Sequence, residues 1–427
     1  MKRVLLILLL ILVAVPAIWL APQFGDEDVS SGTIAATDSA QQIEHGAYLA
    51  KAGNCIACHT ARGGQAYAGG RGIVTPFGTI YASNITPDRE TGLGAWTADD
   101  FWRALHHGKS KDGSFLYPAF PYPNYTRMTR TDSDALYAYF RSVEPVKQEN
   151  REHELRFPYN QRPLLAVWRA LYFTPGEYQP ETGQSADWNR GAYLVQGLGH
   201  CNACHTNRNA LGGIDAGADL AGAVIPVLNW YAPSLTAGGE AGMNTAAPDQ
   251  LAMLLKTGVS DHSAVYGPMA EVVRHSLQHM TDGDIASMVT YLQSLPQQAA
   301  SRVRSVVPVG PGESETLIRR GAAIYKDQCA ACHKEDGSGE PRVYPPLAGN
   351  PAVTLDVVIN PIRIVLHGGY PPSTGGNPRP YGMPPFSSML SDEEAAAVVS
   401  YIRNAWGNQA GAVSPQEVSR YRTVPLD

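Results

Sequence analysis

The chain has 427 residues, with 33 basic and 39 acidic side chains, a formal net charge of −6 and no long run of either sign. That balance argues against a nucleic-acid partner, and the length suits two to four domains. Glycine (42) and proline (32) together exceed the roughly 12% of an average protein, so much of the chain is loop.

The first element is apolar. After Lys2 and Arg3 the run from Val4 to Ala21 carries no charge, which reads as an export signal or membrane anchor over residues 1–24. Eighteen such residues would span about 27 Å as a helix, nearly a bilayer core. The only small-residue cleavage pattern, V-P-A ending at Ala17, is weak, so a retained anchor is favoured over cleavage. Either way the rest of the chain is expected on the periplasmic side of the cell membrane.

Three similar stretches follow. The first holds IEHGAYLAKAGN, then NCIACHT, then a helical pattern opened by Thr131 with Asp134; the second holds WNRGAYLVQGLGH, HCNACHT and Thr281 with Asp284. The third holds LIRRGAAIYKDQ, QCAACHK and Ser391 with Glu394. A hydroxyl followed three residues later by an acid is the capping-box spacing that starts a helix. Each stretch is thus a helix headed by Gly46, Gly191 or Gly321, a cysteine-rich turn, a loop-rich middle and a closing helix. Boundaries fall at 42–146, 187–296 and 314–408, with linkers at 147–186 and 297–313 and a tail at 409–427. The first linker contains LLAVWRALYF, expected to pack between domains rather than lie on a membrane.

The turns carry the chemistry. All six cysteines, Cys55, Cys58, Cys201, Cys204, Cys329 and Cys332, fall in three C-x-x-C-H triplets completed by His59, His205 and His333. Two thiols at that spacing add across the vinyl groups of haem, and the histidine after the second ligates the iron. A redox dithiol does not need the histidine, and structural zinc wants a second ligand pair nearby. The expectation is three covalently bound c-type haems.

A haem that only carries electrons has its sixth position filled, and methionine sulfur suits it. Met383 in YGMPPF and Met269 in GPMAEVV sit on turn-rich segments ahead of the closing helices. The first stretch departs from this, with Phe120 in the equivalent loop and Met128 as its methionine. Met128 is the candidate ligand there, against packing, with His106 and His107 as rival donors.

The order of helices resembles the class I cytochrome c fold, so the expected fold class is all-α, three tandem cytochrome c domains with loop-rich connections. TPFGTIYASNITPDRETGLGAWT, LYPAFPYPNYTRM, LRFPYNQRPLLAVW, NRGAYLVQGLGHCNACHT and NWYAPSL make residues 42 to about 408 similar to the three-haem cytochrome c subunits of bacterial membrane-bound dehydrogenases. That group serves quinohaemoprotein alcohol dehydrogenase and the flavin-dependent gluconate and fructose dehydrogenases. The resemblance implies an electron-transfer subunit that docks a quinone- or flavin-dependent dehydrogenase on the outer face of the cytoplasmic membrane. Its electrons would pass to ubiquinone or a terminal oxidase, and the chain itself would not act on the organic substrate. Phe120 and the lack of an obvious C-terminal amphipathic anchor depart from the pattern. Two other readings remain open from the residues: a peroxidase-type haem enzyme with an open first iron, and a cytochrome subunit of a terminal oxidase.

Overall fold

The computed structural model describes residues 20–25, 39–236, 240–243, 245–296 and 309–424. Most of the 1–24 segment and of the 297–313 connector lies outside the described residues. Two compact units emerge. One runs to Pro180 and takes in residues 196–200 and 208–214, and the other holds the remainder from Glu181 onward.

In the first unit Ser39 accepts a hydrogen bond from the Gln42 amide and starts α1, Ala40–Ala52. Asn54, at φ 53°, turns the chain into the short α2, Cys55–His59. A hairpin follows, β1 (Gly72–Thr75) and β2 (Gly78–Tyr81), and the antiparallel β3 (Glu154–Leu155) later adds to its edge. Helix α3, Ala98–His107, opens on a complete capping box between Thr97 and Asp100 and stops at Gly108, φ 61°. Helix α4, Arg130–Ser142, starts on Thr129, two residues before the expected Thr131. After the linker helix α5, Leu165–Tyr172, the unit closes.

The second unit begins with α6, Ala186–Tyr193, capped by Ser185. Helix α7, Asn202–His205, is followed by the two-stranded sheet β4 (Ala223–Ile225) and β5 (Trp230–Ala232). Next come α8 (Pro248–Thr257), α9 (Pro268–His275) and α10 (Asp282–Ser294), the last capped by Thr281 as expected. Then α11 (Pro311–Gln328) and α12 (Ala330–His333) lead to α13, Ile359–His367. Helix α14, Asp392–Ile402, carries the full Ser391–Glu394 box. Among the described residues the fold is therefore helix-rich with two small sheets, not purely helical. Four-residue strands around a Pro76–Phe77 turn are too short to show a periodicity of their own.

The tail, 409–427, adds a helix of its own. Ser414 caps α15, Pro415–Arg422, and Val413 and Val418, both 0% exposed, join the core that holds Tyr325, Val399 and Ile402. Arg422 ties the tail back through the Asp392 carboxylate and the Ser387 and Leu390 carbonyls.

One packing motif occurs three times. α1 crosses α4, α6 crosses α10, and α11 crosses α14. A Cβ added at Gly46, Gly191 or Gly321 would lie 1.9, 2.0 or 2.0 Å from the carbonyl oxygen of Ala135, Ser287 or Ala397, so only glycine lets the backbones approach this closely. Each crossing is fastened by a pair the sequence reading missed, made by the base just ahead of the glycine and the acid at the third position of the closing helix. His45 meets Asp132 at 2.8 Å, Arg320 meets Glu394 at 3.1 Å, and Arg190 forks both oxygens of Asp284 at 2.8 Å.

Candidate haem sites

Each C-x-x-C-H triplet occupies a short helical turn directly after the first helix of a crossing pair, which places both thiols and the imidazole beside that crossing. In all three the histidine has the same partner type. The Nδ1–H of His59 donates to the Ser83 carbonyl at 2.7 Å, that of His205 to Pro233 at 2.7 Å, and that of His333 to Pro345 at 3.1 Å. A carbonyl only accepts, so the proton sits on Nδ1 and Nε2 presents a bare lone pair. Fixing a histidine this way orients an imidazole that ligates a metal through its other nitrogen. Desolvation also holds all three imidazoles below their ordinary pKa, favouring the neutral, ligating form. Their own carbonyls accept from the amides of Gly69, Gly222 and Gly339, at 2.8, 2.8 and 3.0 Å.

The first thiol of each pair is not activated. Burial pushes Cys55 and Cys201 up to about 12 and Cys329 to about 11, the opposite of the depressed values that redox-active C-x-x-C pairs need. No cysteine is disulfide-bonded. Haem fits these residues: a thiol pair for its vinyls, a bare Nε2 for its iron, and apolar walls. At the second site the Trp230 Nε1–H, on the strand leading to Pro233, is buried without an acceptor, a donor that a haem carboxylate would satisfy.

The candidate sixth ligands sit differently. Met383 forms an antiparallel bridge with Gly369, by N–H···O bonds of 3.0 and 2.8 Å in the two directions, and borders the same core as Cys329. Met269 is the second residue of α9, following Gly267, whose backbone lies against the Trp230 ring. Met128 is 1% exposed in a core that Cys55, Ile56 and Phe120 border. The rival histidines pack edge-on against each other, ring centroids 4.7 Å apart. His106 stacks on Trp102, centroids 4.3 Å apart, with Thr126 Oγ1 at 3.4 Å from its Nδ1, and the His107 carbonyl accepts from Arg169. Ahead of the other two closing helices, Met280 is buried, whereas Met389 is 60% exposed.

The orienting carbonyls were the functional groups that sequence reasoning passed over. Their signal was the recurring tyrosine just ahead of them, in Tyr81-Ala82-Ser83, Tyr231-Ala232-Pro233 and Tyr344-Pro345.

The cytochrome c family model matches residues 43–144 and 318–406. The cytochrome c subunit of the quinone alcohol dehydrogenase of Gluconobacter oxydans is 41% identical over 95% of this chain and 87% of its own length. The gluconate 2-dehydrogenase cytochrome c subunit of Pantoea cypripedii is 41% identical over 89% of each chain. The chain belongs to the family of dehydrogenase cytochrome c subunits. A further member, the fructose dehydrogenase cytochrome subunit of Gluconobacter japonicus, is 38% identical over 90% of this chain and 84% of its own length. As a cytochrome c subunit the chain binds haem c covalently and serves electron transfer.

Proposed function

We propose that this cytochrome subunit is a three-haem electron carrier. Haem c would be attached through Cys55 and Cys58, Cys201 and Cys204, and Cys329 and Cys332. His59, His205 and His333 would ligate iron on one side, with Met128, Met269 and Met383 on the other. The observation that carries the reading is the threefold Nδ1–H to carbonyl geometry beside a complete cysteine pair. The domains follow as 42–146, 187–296 and 314–408, joined by linkers at 147–186 and 297–313.

The haem group supplies a one-electron Fe(III)/Fe(II) couple. The residues do the rest. The cysteine pairs would hold the haem covalently, and the Ser83, Pro233 and Pro345 carbonyls fix the imidazoles that would ligate its iron, so that little reorganisation would accompany a change of charge. Electrons would come from a quinone- or flavin-dependent dehydrogenase subunit, as the alcohol, gluconate and fructose relatives suggest, and would leave to ubiquinone or a terminal oxidase. Residues 1–24 would anchor the subunit on the periplasmic side of the cell membrane.

The test is reconstitution. Alone, the haem-loaded subunit should stay oxidised on adding alcohol, sugar acid or sugar. With its dehydrogenase it should be reduced promptly. Turnover of an organic substrate by the isolated subunit refutes the carrier role.

A further inference from the structure

The linker helix α5 leaves one apolar face uncovered. Ala166 and Arg169, 1% and 3% exposed, form its inner face, while Leu164, Val167 and Leu171 stand 52%, 37% and 52% exposed. The spacing i, i+3, i+7 puts these three on one outer face. The approach to the helix is alike, with Phe157 80% and Tyr159 40% exposed. Trp168 donates its indole N–H to the Leu211 carbonyl at 3.0 Å, and Leu211 is itself 49% exposed. Scattered exposed apolar residues are ordinary, but a row of them on one helix face marks an interaction surface.

The inner face shows what lies next to it. The Arg169 guanidinium sits over the rings of Phe115 and Phe173, 5.1 and 4.9 Å from their centroids, and its Nε donates to Gln23 Oε1 at 3.2 Å. Phe24 packs edge-on against Phe115, and Lys109 Nζ donates to the Gly25 carbonyl at 3.0 Å. Residues 23–25 are therefore pinned beside α5, and the apolar run Val4–Ala21 ends two residues earlier. Two residues reach at most about 7 Å. Wherever that run leaves a bilayer, α5 is held at the same surface. Charge agrees: no carboxylate stands between Glu154 and Glu177, whereas the outward Arg156 and the half-buried Arg162 do, which suits anionic headgroups.

We propose that α5 is a second, in-plane membrane contact, with Leu164, Val167 and Leu171 seated at the headgroup–acyl boundary. This rests on reading residues 4–21 as a membrane anchor. The contact would fix the first haem site's orientation to the bilayer, which a single tether leaves free.

The experiment uses the full, haem-loaded chain, whose native cysteines are consumed as thioethers. Leu164→Cys, Val167→Cys and Leu171→Cys are made singly, with Glu315→Cys at an exposed position of α11 as reference. Each is placed in phosphatidylcholine/phosphatidylglycerol vesicles and in detergent-free solution after removal of residues 1–19, and timed with a membrane-impermeant charged maleimide. Labelling at the three α5 positions should slow at least tenfold in vesicles, while Glu315→Cys is unchanged. Protection should weaken in pure phosphatidylcholine. If the chain stays in vesicles through an alkaline wash but the α5 cysteines react as fast as in solution, the proposal fails while the anchor stands. If the chain washes off, both fail. Protection that appears only on adding the dehydrogenase subunit overturns the lipid assignment in favour of a protein contact.

Discussion

Replacing Gly321 by alanine tests the helix crossing on which the third haem site is built. A Cβ there would lie 2.0 Å from the Ala397 carbonyl oxygen and 2.7 Å from the Tyr401 Cβ. Ordinary contact begins near 3.4 Å, so α11 and α14 must part by more than 1 Å, and the obstacle is backbone rather than a side chain that could rotate. Overpacking of this kind costs about 1–3 kcal/mol and sometimes more. Alanine returns about 1 kcal/mol through helix propensity. With the clash at the upper end, the net loss is about 2 kcal/mol, or a Tm drop of about 8–16 °C for a region of roughly 100 residues. Gly312 lies on the same helix with nothing within 4 Å of its would-be Cβ, so Gly312→Ala should be neutral or mildly stabilising. Calorimetry of the haem-loaded chain reads both variants. A Gly321→Ala transition within 2 °C of the parent would refute the close crossing.

Met128→Ala should leave the first haem attached but open its sixth site, lowering its potential and admitting carbon monoxide, because thioether sulfur favours ferrous iron. Spectroelectrochemistry checks this, and unchanged spectra would mean that Met128 only packs. Met383→Ala should do the same at the third site, leaving the other two potentials in place. A pH effect is expected at His107, which burial and the nearby Arg169, Lys109 and Arg103 lower from 6.5 to about 4. Its folded pKa lies below the unfolded value, so the unfolded chain takes up the proton first. Stability is then full above about pH 6.5 and falls towards pH 4. Thermal unfolding across that range should show a shallower slope for His107→Gln, and an identical slope would contradict the assignment.

The parts visible from sequence were those with a residue-level signature. Thr281 and Ser391 cap their helices at the positions their acids mark, and the triplets give the thiols and imidazoles directly. The misplaced cap at Thr131 arose from a real ambiguity, since Thr129 and Thr131 each have an acid three residues on. Tertiary pairing decides between them: Asp132 is taken by His45 across the crossing, while Asp134 pairs with Arg130 in its own helix. The tail helix had a signal, Ser414 before Pro415 and Glu417, but its eight residues depend on burial of Val413 and Val418. The orienting carbonyls are backbone groups marked in the sequence only by the tyrosine shortly ahead of each, and it takes the fold to bring them to the imidazoles. The exposure of α5 was hidden for a different reason: its sequence is apolar all round, and which face is covered depends on Arg169 and its aromatic neighbours.

The central claim is that this one chain carries three covalent haems. Intact mass of the exported, denatured protein, read beside haem staining, tests it most directly. The expected mass excess is three haems, falling to two when Cys204 and His205 are both replaced. An excess of two in the unaltered chain would contradict it.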